Sequence, residues 1–199
     1  MILIEEYQTH PSDLPIDHFK AHLHLGSGFA EDAVQDQVLE GYLRAAISAI
    51  EGRTGQALYL RDFQWSVSEW QSPGSQPLPL APVRLIHEVN IVAPDGTATP
   101  YDVGEFQIVA DSQTPVMRHV SGSLPTIPEG SNAVVRMYAG SAEEWRDVPP
   151  DLAQAVLLMA AHYYEYRSDL SLSRGCTPFG VTALIERYRT IRISMRGSA

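Results

Sequence analysis

Apolar residues recur at helical spacing in the first quarter of the chain. Residues 14–25 place them three and four positions apart, and residues 31–51 continue this spacing over a longer stretch. Side chains so spaced lie on one face of an α-helix. The glycine-rich break at 26–28 separates the two segments, and Gly52 and Gly55 are expected to end the second. The pattern therefore predicts two amphipathic helices.

The middle of the chain changes to alternation of apolar and polar side chains. Phe63, Trp65 and Val67 alternate with polar neighbours, a period of two that is typical of a half-buried β-strand. Pro94-Asp95-Gly96 predicts a turn, because proline fixes φ and glycine accepts a positive φ. The remaining strand candidates are residues 83–91, 101–109, 116–120 and 133–138, with a loop expected at 71–82. We interpret residues 57–140 as a small antiparallel sheet or sandwich.

Helical spacing returns towards the C-terminus. Two prolines and Asp151 mark a helix start, and residues 152–164 are apolar or aromatic at almost every position. We expect this helix to be buried on most sides and to contribute Leu157 or Leu158 to the core. A last helix is predicted after Thr177-Pro178.

The final residues alternate once more. Ile191, Ile193 and Met195 alternate with Arg192, Ser194 and Arg196. Because no partner strand lies nearby in the sequence, this pattern predicts a strand that pairs with another chain. The alternative is a frayed terminus, since disorder concentrates at chain ends.

Composition places the chain among ordinary globular proteins of one domain. Apolar residues make up 44% and charged residues 19% of the 199 positions. A single cysteine excludes an internal disulfide framework. No run approaches the roughly 20 apolar residues of a membrane span. The opening Met1-Ile2-Leu3-Ile4-Glu5-Glu6 lacks the basic start of a secretory signal, so we expect none.

Charge is distributed unevenly along the chain. The net charge is −10, from 14 basic and 24 acidic residues. The last 26 residues carry five arginines against Glu186, a net charge of +4, which leaves −14 on the rest. An acidic body disfavours DNA binding, because affinity for DNA comes mainly from neutralised phosphates. The basic end is expected to meet an acidic protein surface, and a nucleic-acid-binding module using these arginines is the alternative.

Candidate catalytic residues form no recognisable constellation. His18 and His22 stand four apart, a spacing that can bind a metal, but no third ligand is placed and a solvated helix face is favoured. His162 is expected to be a hydrogen-bonded core residue and Cys176 a structural cysteine. No phosphate-binding loop or nucleophile elbow occurs. The sequence therefore predicts no catalytic residues, no metal, no cofactor and no enzyme.

Motifs that carry a family resemblance run through nearly the whole chain. They are Lys20-Ala21-His22-Leu23, Ile50-Glu51-x-x-Thr54-Gly55, the strand at 83–92 with Asp95-Gly96, His162-Tyr163-Tyr164-Glu165-x-Arg167 and Pro178-Phe179-Gly180-Val181. In this order and spacing they resemble the head–tail connector (adaptor) proteins of long-tailed phages and gene transfer agents. Residues 110–132 match the pattern least.

The resemblance implies an α+β fold of one connector domain, residues 1–199. This fold would be mainly an α-helical bundle, residues 1–56 and 141–190, with an inserted small antiparallel β-sheet or sandwich at 57–140. An extended C-terminal docking tail would occupy 190–199.

The implied function is structural. About twelve copies would form a ring under the portal protein that extends the DNA channel and receives the next neck or tail (stopper) protein. Double-stranded DNA would pass through without specific binding, and no membrane is involved. The protein would be made in the bacterial cytoplasm and located at the head–tail junction of the particle.

The implied docking site lies at the C-terminus. Its residues would be Tyr188, Arg189, Ile191, Arg192, Ile193 and Met195. Their alternation suits a strand added to the edge of a sheet in the portal, where backbone bonds give affinity and alternate side chains set the register.

Overall fold

Helices form where the sequence has apolar residues at helical spacing. A computed structural model describes residues 1–25, 33–167 and 177–189. Its helices are α1 (Ile16–His22), α2 (Ala33–Thr54), α3 (Pro150–Glu165) and α4 (Phe179–Ile185). The helix α2 continues through Gly52 and ends before Gly55, whose φ of +68° lets the chain leave the helix. The expected break at 26–28 lies outside the described residues.

The strands form two antiparallel sheets. They are β1 (Ile2–Glu5), β2 (Arg61–Val67), β3 (Ser75–Pro77), β4 (Val83–Val92), β5 (Ala98–Tyr101), β6 (Phe106–Val109), β7 (Val116–His119) and β8 (Asn132–Ala139). The larger sheet has the order β1-β2-β8-β4-β5, and the smaller has the order β3-β7-β6.

The α+β class is confirmed, but the expectation of a mainly helical bundle is wrong. The described chain holds eight strands beside four helices, and the strands have a hydrophobic core of their own. The reason is the alternation in β2 and β8, which directs every second side chain into a buried layer. That layer makes the β region an equal part of the fold.

The structure also differs from the sequence-based expectation in three local regions. The first strand, β1, was not predicted, because its run of three apolar residues has no alternation. The expected loop at 71–82 contains β3. The expected strand at 101–109 is divided, because the carboxylate of Asp102 accepts a hydrogen bond from the Gly104 amide, 3.0 Å, and caps a short 3-10 turn between β5 and β6.

The helical core lies where the four helices meet. α2 packs on α3, α3 packs on α4, and α1 contacts both α2 and α3. Its fully buried side chains include Phe19, Leu39, Leu43, Ile50, Leu152, Val156, Val181 and Ile185. The helix α3 is enclosed on most sides, as its apolar sequence predicts, and its exposed residues are Pro150, Gln154 and Glu165. Leu157 and Leu158 are half-buried and pack against this core, whereas Leu152 and Val156 are fully buried in it. No helix in the described ranges is both long and apolar enough to cross a membrane.

The chain enters and leaves the β region through two adjacent segments. The Ser141 amide donates to the Ala57 carbonyl, 3.0 Å, and the Ala142 amide donates to the Leu58 carbonyl, 3.1 Å. Gly140, the residue before Ser141, has a φ of +143°. A Cβ on Gly140 would lie 2.2 Å from the Tyr59 carbonyl oxygen. Only glycine permits so close an approach of two backbones. This crossing fixes the β region against the helical core.

Candidate docking site

The C-terminal end of the described chain is a helix followed by a tight turn. The helix α4 buries Val181 and Ile185 in the helical core, and a 3-10 turn at Glu186–Tyr188 follows it. On the opposite side Phe179 is 88% exposed. The helix therefore attaches the C-terminus to the protein through one apolar face.

The turn is held by a second set of contacts, which are polar. The Tyr188 hydroxyl donates to one carboxylate oxygen of Asp151, 2.9 Å, and Arg187 Nε lies 2.7 Å from the other. Gln113 Nε2 donates to the Arg187 carbonyl, 2.8 Å. Burial raises the pKa of the Tyr188 hydroxyl above its ordinary value of 10.0, and the protonated hydroxyl is the form that donates to Asp151. The turn is thus joined both to the start of α3 and to the loop after β6.

Two of the six predicted docking residues lie in this structure. Tyr188 is bound to Asp151, and Arg189, whose side chain is 53% exposed, lies 3.5 Å from Glu186. Ile191, Arg192, Ile193 and Met195 lie outside the described residues. The structure therefore defines the base from which the predicted docking segment continues.

A buried ion cluster that sequence reasoning missed joins the helices to the larger sheet. The guanidinium of Arg61, whose side chain is 9% exposed, lies 2.8 Å from Glu5 and 2.7 Å from Glu51. The Leu58 amide donates to Glu51 as well, 2.8 Å. Glu5 is 56 residues from Arg61 in the sequence, so no local motif marks the cluster. The cluster ties β1, α2 and β2 together.

Two carboxylates share the single guanidinium of this cluster, and Glu51, whose side chain is 18% exposed, is the more buried of them. Burial raises the pKa of Glu51 above its ordinary value of 4.5, while Arg61 and the Leu58 amide oppose the rise. The Glu51 carboxyl therefore binds a proton more tightly in the folded state than in the unfolded state. The resulting stabilisation is full below the unfolded pKa and is lost as the pH rises through the folded one.

Glu51→Gln is expected to change the pH dependence of stability. Glutamine keeps an oxygen for the Leu58 amide but carries no charge to bury. Its melting temperature relative to the parent protein should therefore rise as the pH increases from the ordinary carboxyl pKa of 4.5 through the raised folded-state pKa of Glu51, as measured by thermal unfolding. Glu143→Gln, at an exposed side chain, is the matched control. A difference for Glu51→Gln that stays constant or falls with pH contradicts the assignment.

A second charged cluster lies on the opposite face of the larger sheet. Arg136 on β8 lies 3.0 Å from Glu6 and 3.0 Å from Glu88, and its Nε also donates to Gln64, 3.3 Å. Once more two carboxylates face one guanidinium. The region around β1 is consequently acidic on both faces of the sheet.

The histidines and the cysteine do not form a site in the described residues. His18 is exposed and His22 half-buried on α1, and no group of three or more metal-ligating side chains occurs in the ranges that the structure describes. His162 is half-buried against Tyr166, with ring centroids 4.8 Å apart, so it is not the core residue that the sequence predicted. Cys176 lies outside the described residues.

Comparison with known proteins gives three similar solved structures. A protein from the neck of an empty gene transfer agent (GTA) particle, computed with C6 symmetry, is 42% identical with a TM-score of 0.86. One from the virion of a native GTA particle is 41% identical with a TM-score of 0.84. One from the neck of a native GTA particle, computed with C12 symmetry, is 39% identical with a TM-score of 0.81. Each alignment covers 98% of both chains.

No family model and no curated protein matches the chain. The three structural matches nevertheless extend over almost its entire length, and the α+β fold and the sequence motifs agree with them. Sequence identity of 39–42% over 98% of both chains shows common family membership, and the TM-scores show the same fold. The chain therefore belongs to the head–tail connector (neck) protein family of phages and gene transfer agents.

Proposed function

We propose that this protein is a structural component of the neck of a phage-like particle and acts there as the head–tail adaptor. The observation that carries the proposal is the 42% identity over 98% of the chain to a protein of a GTA particle neck. The location would be the head–tail junction of the particle. The role of such a protein is to hold other proteins in place, which agrees with a surface rich in ion pairs and two separate cores.

The proposed assembly is a ring of about twelve copies, because a neck has rotational symmetry and head-to-tail contacts close into rings. The C6 and C12 symmetries applied to the similar neck structures support this number. Each subunit then needs two different complementary surfaces. The net charge of −10 opposes the close approach of like-charged subunits, so the portal would assist assembly.

The acidic body suits a channel through which DNA passes. Basic surfaces hold DNA by neutralising its phosphates, whereas a net negative surface lets it slide. The ring would extend the portal channel and receive the next neck or tail (stopper) protein. The negative charge of the body therefore favours passage of DNA through the channel over binding of DNA to its wall.

The proposed contact with the portal is the C-terminal segment. The anchored turn at Glu186–Tyr188 places Arg189 at the surface, and the alternating residues Ile191, Arg192, Ile193 and Met195 continue from it. A strand added to the edge of a portal sheet would use this alternation. Its positive charge would speed the encounter with an acidic surface.

Deletion of residues 190–199 is expected to abolish binding to purified portal and leave the fold intact. The helix α4 and its turn retain their contacts to the body, so the melting temperature should stay within about 2 °C of the parent value. Native mass spectrometry with and without portal measures the result. The full chain should form rings on the portal.

The matched control keeps the same ten residues in shuffled order, which preserves charge and length but removes the alternation. It should bind no better than the deletion. Wild-type affinity of the deletion variant would exclude this segment as the docking element. Absence of any oligomer, with or without portal, would exclude the ring.

A further inference from the structure

The strand β1 is an exposed apolar edge. It pairs with β2 on one side, and no described strand lies on its other side. Ile2 is 62% exposed, Leu3 39% and Ile4 50%. Exposed sheet edges attract other strands, and proteins usually protect them with proline, lysine or a bulge. Here the edge carries three consecutive apolar residues and none of these features.

The hydrogen bonds show which backbone groups of β1 face outward. The Glu6 amide donates to the Asp62 carbonyl, 3.0 Å, which continues the register of β1 and β2. In an antiparallel pair, residues bonded to the neighbouring strand alternate with residues that are not. Ile2 and Ile4 therefore bond inward to β2. Leu3 and Glu5 direct their amides and carbonyls towards the open edge.

Of the three other edge strands in the described sheets, two are closed to such pairing. The edge strand β5 contains Pro100, and the edge strand β3 contains Pro77. Proline has no amide hydrogen to donate and is used to protect edges. The remaining edge, β6, also lacks proline, but its residues alternate between half-buried and exposed, whereas β1 exposes three consecutive apolar side chains.

A groove beside β1 provides room for side chains of an added strand. It has a volume of about 290 Å³ and lies between Leu3, the C-terminal end of α2 and the segment around Leu80. Phe63 and Ala57 contribute apolar walls, and Glu51 lies at its border. An apolar side chain next to Leu3 would leave water on entering this groove.

The charged side chains around β1 indicate which charge a binding partner would carry. On one face Glu5 and Glu51 share Arg61, and on the other Glu6 and Glu88 share Arg136. Each cluster keeps a net charge of −1 when all its groups are ionised. In an added strand whose apolar side chains share the face of Leu3, the alternate side chains point to the face of Glu6, where a basic group would balance the excess carboxylate.

We propose that the open edge of β1 binds an extended segment of another protein of the particle, one whose residues alternate between apolar and basic. Its backbone bonds to Leu3 and Glu5, its apolar side chains lie on the face of Leu3 and enter the groove there, and its basic side chains lie on the opposite face beside Glu6. That the partner belongs to the same particle rests on the proposed function. The binding chemistry does not, because it follows from β1 itself.

The test uses the full chain and a labelled probe peptide, Thr-Ile-Arg-Ile-Arg-Ile-Arg-Thr, with blocked ends. Leu3→Pro removes the outward amide without removing a bond to β2, and Leu3→Val is the matched control that keeps this amide. Fluorescence anisotropy should show binding of the peptide. Leu3→Pro should weaken it about tenfold, and Leu3→Val should leave it within about twofold. A peptide with glutamates in place of arginines should not bind.

Hydrogen exchange gives a second measurement on the unaltered protein. Adding the peptide should protect the amides of Leu3 and Glu5 and leave those of Ile2 and Ile4 at their existing protection. The proposal is overturned if no peptide binds, if the charge-reversed peptide binds equally well, or if Leu3→Pro binds like the parent protein. It is also overturned if sedimentation shows a dimer that Leu3→Pro abolishes, because the occupant is then a second copy. Neither portal nor ring enters these measurements, so their failure leaves the proposed function standing.

Discussion

Arg61→Met is expected to lower the free energy of unfolding by about 3–5 kcal/mol. The guanidinium lies 2.7 Å from Glu51 and 2.8 Å from Glu5, and only 9% of the arginine side chain is exposed. Methionine keeps much of the volume but leaves Glu51 buried without its partner. An unpaired buried charge costs far more than a lost surface ion pair. Urea unfolding of both proteins measures the difference.

Arg146→Met is the matched control for this prediction. Its guanidinium pairs with Glu144 at 2.9 Å, but the two side chains are 76% and 61% exposed, so a change below about 1 kcal/mol is expected. The double variant Arg61→Met, Glu51→Met should regain part of the loss, because it removes the stranded charge as well. A loss below about 1 kcal/mol for Arg61→Met alone would show that Glu51 is adequately solvated without it.

Leu152→Ala is expected to cost about 2–5 kcal/mol, the range for removing a buried leucine from a packed core. Leu152 is 1% exposed at the start of α3 and belongs to the core that all four helices share. Alanine there loses the transfer free energy of the side chain and leaves a cavity. Thermal and urea unfolding give the change.

Leu157→Ala on the same helix is the control, since that side chain is only half-buried. It should cost clearly less than Leu152→Ala. Equal losses at both positions would mean that α3 is buried all round, as its apolar sequence suggested. The comparison therefore tests whether Leu152 contributes more to the core than the half-buried Leu157 does.

The sequence predicted best those elements whose periodicity reflects burial. The alternation of Phe63, Trp65 and Val67 predicted β2 because the three side chains are buried and their neighbours are not. The positive φ of Gly55 explains why that glycine, and not Gly52, ends α2. The sequence was sufficient for β2, whereas it offered both glycines for the end of α2 and only the backbone conformation distinguishes them.

Elements defined by distant contacts were not predictable in this way. The strand β1 has no alternation because it lies at a sheet edge, and its partner β2 comes some 56 residues later, the separation of the contact between Glu5 and Arg61. The ion cluster depends on the same long-range pairing. Of the predicted docking residues, Tyr188 and Arg189 follow a helix that the sequence correctly predicted, and the docking role of all six stays a prediction.

The order of strands in the larger sheet has a consequence for synthesis of the protein on the ribosome. β2 lies between β1 and β8, and the contact from Gln64 to Arg136 spans 72 residues. At roughly 5–20 residues per second, this interval takes roughly 4–14 s. During that time a nascent chain presents β2 without its inner neighbour, with Phe63 and Trp65 uncovered. Translation pauses within this interval would therefore favour aggregation, and binding by ribosome-associated chaperones would be most useful there.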